Sequence, residues 1–150
     1  MKFSVDMQRT SSTTAALGSM TADATRARRL RVYDAMFGSE ATPADAAILW
    51  TFRRCSAAGT STSVTPQNLD PASSTTEYDA GENHSIEPTF TAGAILLNVP
   101  LNQRATFRWV AAPGGELVMP ATASNGFGIE TDTISTGTPV ITATIHADEE

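Results

Sequence analysis

The amino-acid sequence predicts an all-β domain, an antiparallel β-sandwich or jelly roll with little helix. Three observations predict it. Apolar and polar residues alternate in several short segments, Gly, Pro and Asn separate these segments, and no long stretch has helical periodicity. Alternation with period two is typical of strands that have one buried and one solvated face, and many short strands between turn residues are typical of sandwiches. The chain has the length of one domain, so we assign residues 1–150 to a single β domain.

Five segments carry the strand signal. Near the start of the chain, Phe3, Val5 and Met7 alternate with polar residues. Residues 29–37 are mixed, which suits a strand with both faces partly covered. Three further segments place their apolar side chains on one face by the same alternation: residues 48–55, 103–112 and 141–146.

Helix and turn signals are short. Residues 21–31 contain good helix formers, but Leu30 is their only large apolar residue. Residues 42–47 (TPADAA) fit a helix of one or two turns, because a capping Thr is followed by Pro, which suits the first turn. Residues 113–115 (PGG) predict a tight turn, and Asn125-Gly126 is the strongest two-residue hairpin signal in the chain.

One polar segment, residues 59–85, does not fit a compact sandwich. It is rich in Ser, Thr, Pro and Asp and is longer than the connections usual inside domains. Residues 62–65 are a candidate short edge strand. We expect the remainder to be a long extended loop or arm that lies over this chain, a sister subunit or another protein, with Pro66, Leu69 and Tyr78 as its anchors. Residues 1–25 are a second candidate, an N-terminal arm.

Composition argues against several classes of function. The net charge is −6, and nine of the ten basic residues are Arg. An acidic chain lacks the phosphate-neutralising surface of a general nucleic-acid binder, so we expect no direct contact with nucleic acid. No apolar run reaches the roughly 18 residues needed to cross a bilayer, and no signal peptide is apparent. We therefore expect no membrane partner.

The side chains that could support catalysis or bind a metal are few. Cys55 is the single cysteine and has no neighbouring His in sequence, so we expect a structural thiol. His84 and His146 could bind a divalent metal together with carboxylates, but a loop histidine and a strand histidine are the favoured interpretation. The carboxylates of residues 77–82 lie in a polar segment where we expect them to be solvated. We expect no enzyme activity and no cofactor.

Four arginines within residues 26–31 form the main concentration of basic side chains. Arginine is common at protein interfaces, where it pairs with carboxylates through two hydrogen bonds. We expect Arg29 and Arg31 to contact an acidic partner surface. A solvated or internally salt-bridged strand face is the alternative, and the same two alternatives apply to Arg53-Arg54.

Several stretches together resemble a group of small proteins encoded by tailed bacteriophages. They are residues 28–38 (RRLRVYDAMFG), 42–50 (TPADAAILW), 59–71 (GTSTSVTPQNLDP) and, most distinctively, 102–128 (NQRATFRWVAAPGGELVMPATASNGFG). The resemblance covers the chain from about Arg26 to its end.

The resemblance implies a structural virion protein, a capsid cement or decoration protein with a small β-rich or jelly-roll fold. Its implied partners are the phage major capsid protein and further copies of itself in a homotrimer. It would be made in the cytoplasm of the bacterial host and would lie on the capsid exterior. The alternative is a tail or fibre-associated β-sandwich that binds host surface carbohydrate. That function needs exposed aromatic side chains, whereas Trp50 and Trp109 lie on apolar strand faces that we expect to be buried.

Overall fold

The computed structural model describes residues 1–10, 16–132, 134 and 136–150, and this part of the chain contains β-strands and no helix. The strands are β1 (Lys2–Thr10), β2 (Gly18–Ala22), β3 (Leu30–Ala41), β4 (Ala47–Cys55), β5 (Thr60–Val64), β6 (Gln67–Asn68), β7 (Tyr78–Ile86), β8 (Phe90–Asn102), β9 (Phe107–Val110), β10 (Leu117–Met119), β11 (Gly126–Thr131) and β12 (Val140–Glu149). They form two six-stranded antiparallel sheets. The predicted all-β antiparallel sandwich is confirmed, and the jelly-roll arrangement stays a prediction.

The first sheet has the strand order β10-β3-β12-β1-β6, and the second has the order β5-β7-β2-β11-β4-β8. In the first sheet β9 also pairs with β3, opposite Asp34–Phe37, whereas β10 pairs with Leu30–Val32. The two short strands therefore lie end to end along one edge of β3. The predicted turn at residues 113–115 projects between them, with Gly114 at a φ of 78°.

Aromatic side chains join the two sheets in the core. Phe37 of β3 lies with its ring centroid 4.9 Å from that of Trp50 and 5.4 Å from that of Phe52, both on β4 of the opposite sheet. Phe107 contacts the same ring from the edge of the first sheet, at 5.5 Å. Burial of one such side chain stabilises the fold by about 1.5–3 kcal/mol, and an aromatic pair adds about 0.5–1.5 kcal/mol.

Period-two alternation in the sequence corresponds to burial in the strands. In β12, Ile141, Ala143, Ile145 and Ala147 are buried, and the residues between them are partly exposed. In β1, Phe3, Val5 and Met7 are buried in the same way. Register follows from this pattern, because a shift by one residue would turn every apolar side chain of a strand to the outer face.

Four of the strands form one long antiparallel ribbon. Residues 47–64 (β4 and β5) run against residues 80–102 (β7 and β8), and backbone hydrogen bonds between Ser56, Ala57 and Thr89 continue the pairing between the two halves. One half pairs with β11 and the other with β2. The ribbon thus forms both edges of the second sheet. We call residues 65–77, which connect β5 to β7, the ribbon tip.

Gly59 lies where the two halves of the ribbon meet. Its φ is 73°, and an added Cβ would lie 2.2 Å from the carbonyl oxygen of Ile86 and 2.5 Å from that of Glu87. Only glycine accepts this left-handed conformation without strain, and no side chain fits between the two backbones at this separation.

Both predicted arms are instead parts of the sheets. Residues 1–25 supply β1, between β12 and β6, and β2, between β7 and β11; residues 11–15 lie outside the described residues. Residues 59–85 supply β5, β6 and most of β7. The candidate edge strand at residues 62–65 overlaps β5. Polar composition concealed the rest, because main-chain pairing holds the edge strand β6 without apolar alternation and the interior strand β7 is mostly polar and small residues.

The helix prediction for residues 42–47 and the hairpin prediction are wrong. Residues 21–31, whose helical signal is weak, end β2, turn, and begin β3. Residues 42–47 form no helix; they lead from β3 into β4, and the backbone N–H of Ala44 donates to the buried side chain of Gln103. Asn125-Gly126 begins β11, whose neighbours are β2 and β4 and not the preceding strand. Glycine is needed there because a Cβ at Gly126 would lie 1.8 Å from the carbonyl oxygen of Met20.

We expect Gly59→Ala to destabilise the fold strongly and Gly93→Ala to do so mildly. Both glycines have a positive φ, of 73° and 68°, but nothing lies within 4 Å of a Cβ at Gly93. The conformational cost of about 1 kcal/mol is therefore common to both. The backbone clash should raise the loss at Gly59 to at least about 3 kcal/mol. Urea unfolding measures both, and equal losses would show that the close approach at Gly59 has no energetic weight.

Candidate partner-binding surface

One end of the sandwich gathers the segments that the sequence singled out. The backbones of Arg29 and Glu150 exchange hydrogen bonds of 3.2 and 2.9 Å, which fixes the arginine segment beside the C-terminus. The N–H of Leu69 donates to the carbonyl of Lys2 at 3.0 Å, and that of Asp23 donates to the carbonyl of Glu77 at 2.9 Å. We call this end, formed by residues 23–31, the ribbon tip and both chain termini, the tip end.

Glu149 fixes the ribbon tip to β12. Its carboxylate is buried and accepts hydrogen bonds from the hydroxyl of Thr76 and from the backbone N–H of Glu77, the latter at 2.9 Å. The amino group of Met1 pairs with Asp148 at 2.7 Å on the same strand. The tip is therefore held by charge-assisted bonds as well as by the short strand β6.

Four of the five predicted partner contacts are accessible at the tip end. Leu69 is 50% exposed, Arg29 is exposed, and Pro66 and Arg31 are half-buried. Tyr78 is a correction, because its side chain is 3% exposed and its hydroxyl donates to the carbonyl of Arg28 at 3.0 Å. It belongs to the core of its own chain, since it occupies an inward position at the start of β7.

The arginines divide between the two alternatives that the sequence left open. Arg26, Arg31 and Arg53 form internal ion pairs with Glu77 (3.1 Å), Glu150 (2.9 Å) and Glu130 (2.7 Å). Arg28 and Arg29 are exposed and form no ion pair within the described residues. Surface pairs of this kind contribute little stability, about 0–1 kcal/mol each, but they neutralise the acidic groups around the tip end.

A cleft of about 740 Å³ opens beside this end, between β10 of one sheet and the ends of β4 and β11 of the other. Arg29 and Arg54 contribute its charged groups, and Val118, Pro120 and Ala121 contribute apolar surface. Arg54 follows the inward-facing Phe52 by two positions in β4. Its guanidinium donates to the carbonyl of Val118 at 2.6 Å, across the gap between the sheets.

Cys55 lies in the wall of the same cleft. It is 3% exposed, and burial raises the pKa of its thiol to about 11. A thiol with a raised pKa is almost entirely protonated at neutral pH and is a poor nucleophile. The predicted structural role of this cysteine is consistent with its burial.

The two histidines lie in different sheets and do not meet. His84 on β7 is buried, with Nε2 2.9 Å from the hydroxyl of Ser19 on β2. Asn83, at a φ of 49°, lies within an irregularity of the β5–β7 pairing, next to His84. Within the described residues no group of three His, Cys, Asp or Glu side chains could hold a metal ion, nor is there a helix that could cross a membrane.

A polar network lies on the outer face of the first sheet, and the sequence pattern did not predict it. The guanidinium of Arg108 donates to both carboxylate oxygens of Asp34, at 3.0 and 2.7 Å, and Nδ1 of His146 lies 3.2 Å from the same carboxylate. Hydrogen bonding by Arg108 lowers the pKa of Asp34. A bulge at Tyr33, where β3 shifts against β12, turns Asp34 outward. Irregular alternation in residues 29–37 is the signal that could have revealed it.

No family model, curated protein or solved structure matches the chain. The aromatic side chains bear on the carbohydrate alternative. Trp50 is 1% exposed and lies in the core, as expected, whereas Trp109 is half-buried at the sheet edge.

Among the carboxylates of residues 77–82, two have partners within the chain. Glu77 pairs with Arg26, and Glu82 accepts a hydrogen bond of 2.6 Å from the backbone N–H of Gln8. Asp79 is exposed, and partial desolvation together with the charge of Asp23 raises the pKa of its carboxyl. The carboxylates of Glu77 and Glu82 thus take part in two separate contacts, and that of Asp79 lies at the surface.

We expect acid to destabilise the protein through His84. Burial, and secondarily the charge of Arg9, lowers the pKa of His84 below its ordinary value of 6.5. The unfolded chain then binds the proton more readily, so this contribution to stability is complete above pH 6.5 and is lost as the pH falls below it. Urea unfolding from about pH 7.5 to about pH 5 should show a decline that His84→Gln reduces.

Ser19→Ala is the matched control for this experiment. It removes the hydroxyl partner of His84 but leaves the imidazole buried. We therefore expect a lower stability at every pH and an unchanged decline towards acid. The same decline in His84→Gln as in the wild type would show that this histidine is not the responsible group.

Proposed function

We propose that this chain is a structural virion protein, a cement or decoration protein that binds the major capsid protein of a tailed bacteriophage and stabilises its shell. The observation that carries the proposal is the tip end. There Leu69 is exposed, and so is Arg29, which has no ion-pair partner among the described residues; backbone hydrogen bonds with Lys2 and Glu150 hold the two. The resemblance of residues 102–128 to small phage proteins supplies the partner. The proposal assigns no catalytic role and needs no cofactor.

A cement protein needs a rigid scaffold and a contact surface of sufficient area. Specific interfaces bury roughly 800 Å² on each partner, which is about a ninth of the 7174 Å² surface of this chain. Hydrogen bonds from β1, β12 and residues 23–31 hold the ribbon tip in place. Few side chains or loops would then become ordered when the partner binds, and the entropic cost of association is correspondingly low.

The proposal also covers location and assembly. The protein would be made in the bacterial host cytoplasm and would bind to the capsid exterior as a homotrimer. It would contact neither nucleic acid nor membrane directly. An acidic chain suits the exterior position, because a net charge of −6 disfavours association with the packaged DNA.

Binding to phage heads tests the function. Heads assembled from the major capsid protein of the same genome should bind the wild-type chain saturably in a co-sedimentation assay. Leu69→Asp should weaken this binding at least about tenfold, because burying a carboxylate replaces burial of an apolar side chain. Ile86→Asp is the matched control, since Ile86 is 62% exposed but lies near the bend of the ribbon, away from the tip end.

Two results would contradict the proposal. A wild-type chain that does not bind the heads would reject the capsid function, and reproducible binding to a glycan array would then favour the carbohydrate alternative. Equal weakening by Leu69→Asp and Ile86→Asp would keep the capsid partner but reject the tip end as the contact.

The oligomeric state is a separate prediction. Light scattering coupled to size exclusion near neutral pH should give the mass of three chains of 15.8 kDa, because the resemblance implies a trimer. Dilution should leave the mass unchanged if the trimer is stable in solution. The mass of one chain would reject a preformed trimer and leave assembly on the capsid surface as the route.

A further inference from the structure

The cleft beside the tip end has a positive charge that its own chain does not neutralise. Arg29 and Arg54 line it, and among the residues that the structure describes no carboxylate does. This contrasts with the whole chain, in which 16 acidic residues outnumber 10 basic ones. Glu150, whose backbone is hydrogen-bonded to that of Arg29, directs its carboxylate to Arg31 instead.

The two guanidinium groups differ in burial and in hydrogen bonding. Arg54 is half-buried, and one of its nitrogens, Nη1, donates to the carbonyl of Val118 and lies 3.4 Å from the sulfur of Met119. The other nitrogens of this fork have no partner in the part of the chain that the structure describes. Arg29 is exposed, but reciprocal backbone hydrogen bonds with Glu150 fix its main chain. One cation is therefore oriented, and the other is free to close on a ligand.

The remaining surface of the cleft is mostly apolar. Val118, Pro120 and Ala121 lie beside the arginines. The volume of about 740 Å³ falls within the usual range of ligand sites. A ligand that matches this surface has an anionic group for the two guanidiniums and aliphatic groups beside it.

We propose that this cleft binds an acidic segment of a partner protein, in which a carboxylate side chain pairs with Arg29 and Arg54. Flanking apolar side chains of the segment contact Val118, Pro120 and Ala121. Arginine suits this role because its planar fork donates two parallel hydrogen bonds to a carboxylate. The inference deepens the proposed function by giving the chemistry of the partner surface, and it rests on that function only for the identity of the partner.

A protein carboxylate fits the cleft better than a nucleic acid does. A polyanion would approach a chain of net charge −6, and the lining offers only two cations for its phosphates. Non-specific nucleic-acid binding depends on many such contacts. A single carboxylate flanked by apolar groups needs no more than the cleft provides.

Selection from a random peptide library on the immobilised full-length chain tests the proposal, with Arg29→Gln as the counter-selection. We expect the enriched peptides to share Asp or Glu at a fixed position beside apolar residues. Fluorescence polarisation with the best labelled peptide should then show at least about fivefold weaker binding by Arg29→Gln. The same peptide with an amide in place of its carboxylate should lose affinity to a similar extent.

Arg28→Gln is the matched control, because Arg28 is the exposed neighbour of Arg29 but does not line the cleft. It removes the same charge and should leave the dissociation constant of the peptide unchanged. Arg54→Gln should also weaken binding. Its effect is interpreted only after urea unfolding has shown a folded chain, since Arg54 also satisfies a strand carbonyl.

Three results would overturn the inference. They are enrichment without acidic residues, equal weakening by Arg28→Gln and Arg29→Gln, and displacement of the peptide by inorganic phosphate or a single-stranded oligonucleotide at the peptide's own concentration. Failure here is distinguishable from failure of the capsid function, because the peptide assay contains no heads. Head binding unaffected by Arg29→Gln would remove the cleft from the capsid contact and leave the function standing.

Discussion

A close approach of two backbones at Gly59 decides where the longest ribbon of the molecule goes. No side chain lies between the two backbones there. Residues 47–64 and 80–102 therefore stay paired while the ribbon passes from one edge of the second sheet to the other. One half of the ribbon then carries Arg54 and Cys55 to the cleft, and the other carries the ribbon tip to β1. Both surfaces proposed to bind a partner depend on this one crossing.

Two sets of contacts make that arrangement rigid. In the core, Phe37 of the first sheet contacts Trp50 and Phe52 of the second, which fixes one sheet on the other. At the tip end, Glu149 and Asp148 of β12 bind the ribbon tip and the N-terminal amino group. A surface held from both sides in this way is already ordered before a partner binds, which favours affinity.

Charge is distributed so that an acidic chain presents a basic cleft. Ion pairs within the chain engage several carboxylates near the tip end, while Arg29 and Arg54 keep donors free. The overall charge of −6 favours solubility and repels polyanions, and the local cations favour carboxylates. Such a contrast serves specificity more than raw affinity, because a wrong partner meets like charges around the cleft.

The sequence by itself determined the all-β sandwich, its buried alternating strands and the concentration of basic side chains in residues 26–31, because period-two burial and local charge are properties of neighbouring residues. Beyond a short edge strand at residues 62–65, it did not show that the polar residues 59–85 pair as strands. Main-chain bonds hold β5 and β6 at sheet edges, and the interior strand β7 consists mostly of polar and small residues, so neither leaves a clear apolar pattern. Nor could it show that Tyr78 is buried or that Arg29 and Arg54 share a cleft. Only the tertiary structure decided these points, because the contacts join residues far apart in the chain, and the crossing at Gly59 sets their positions.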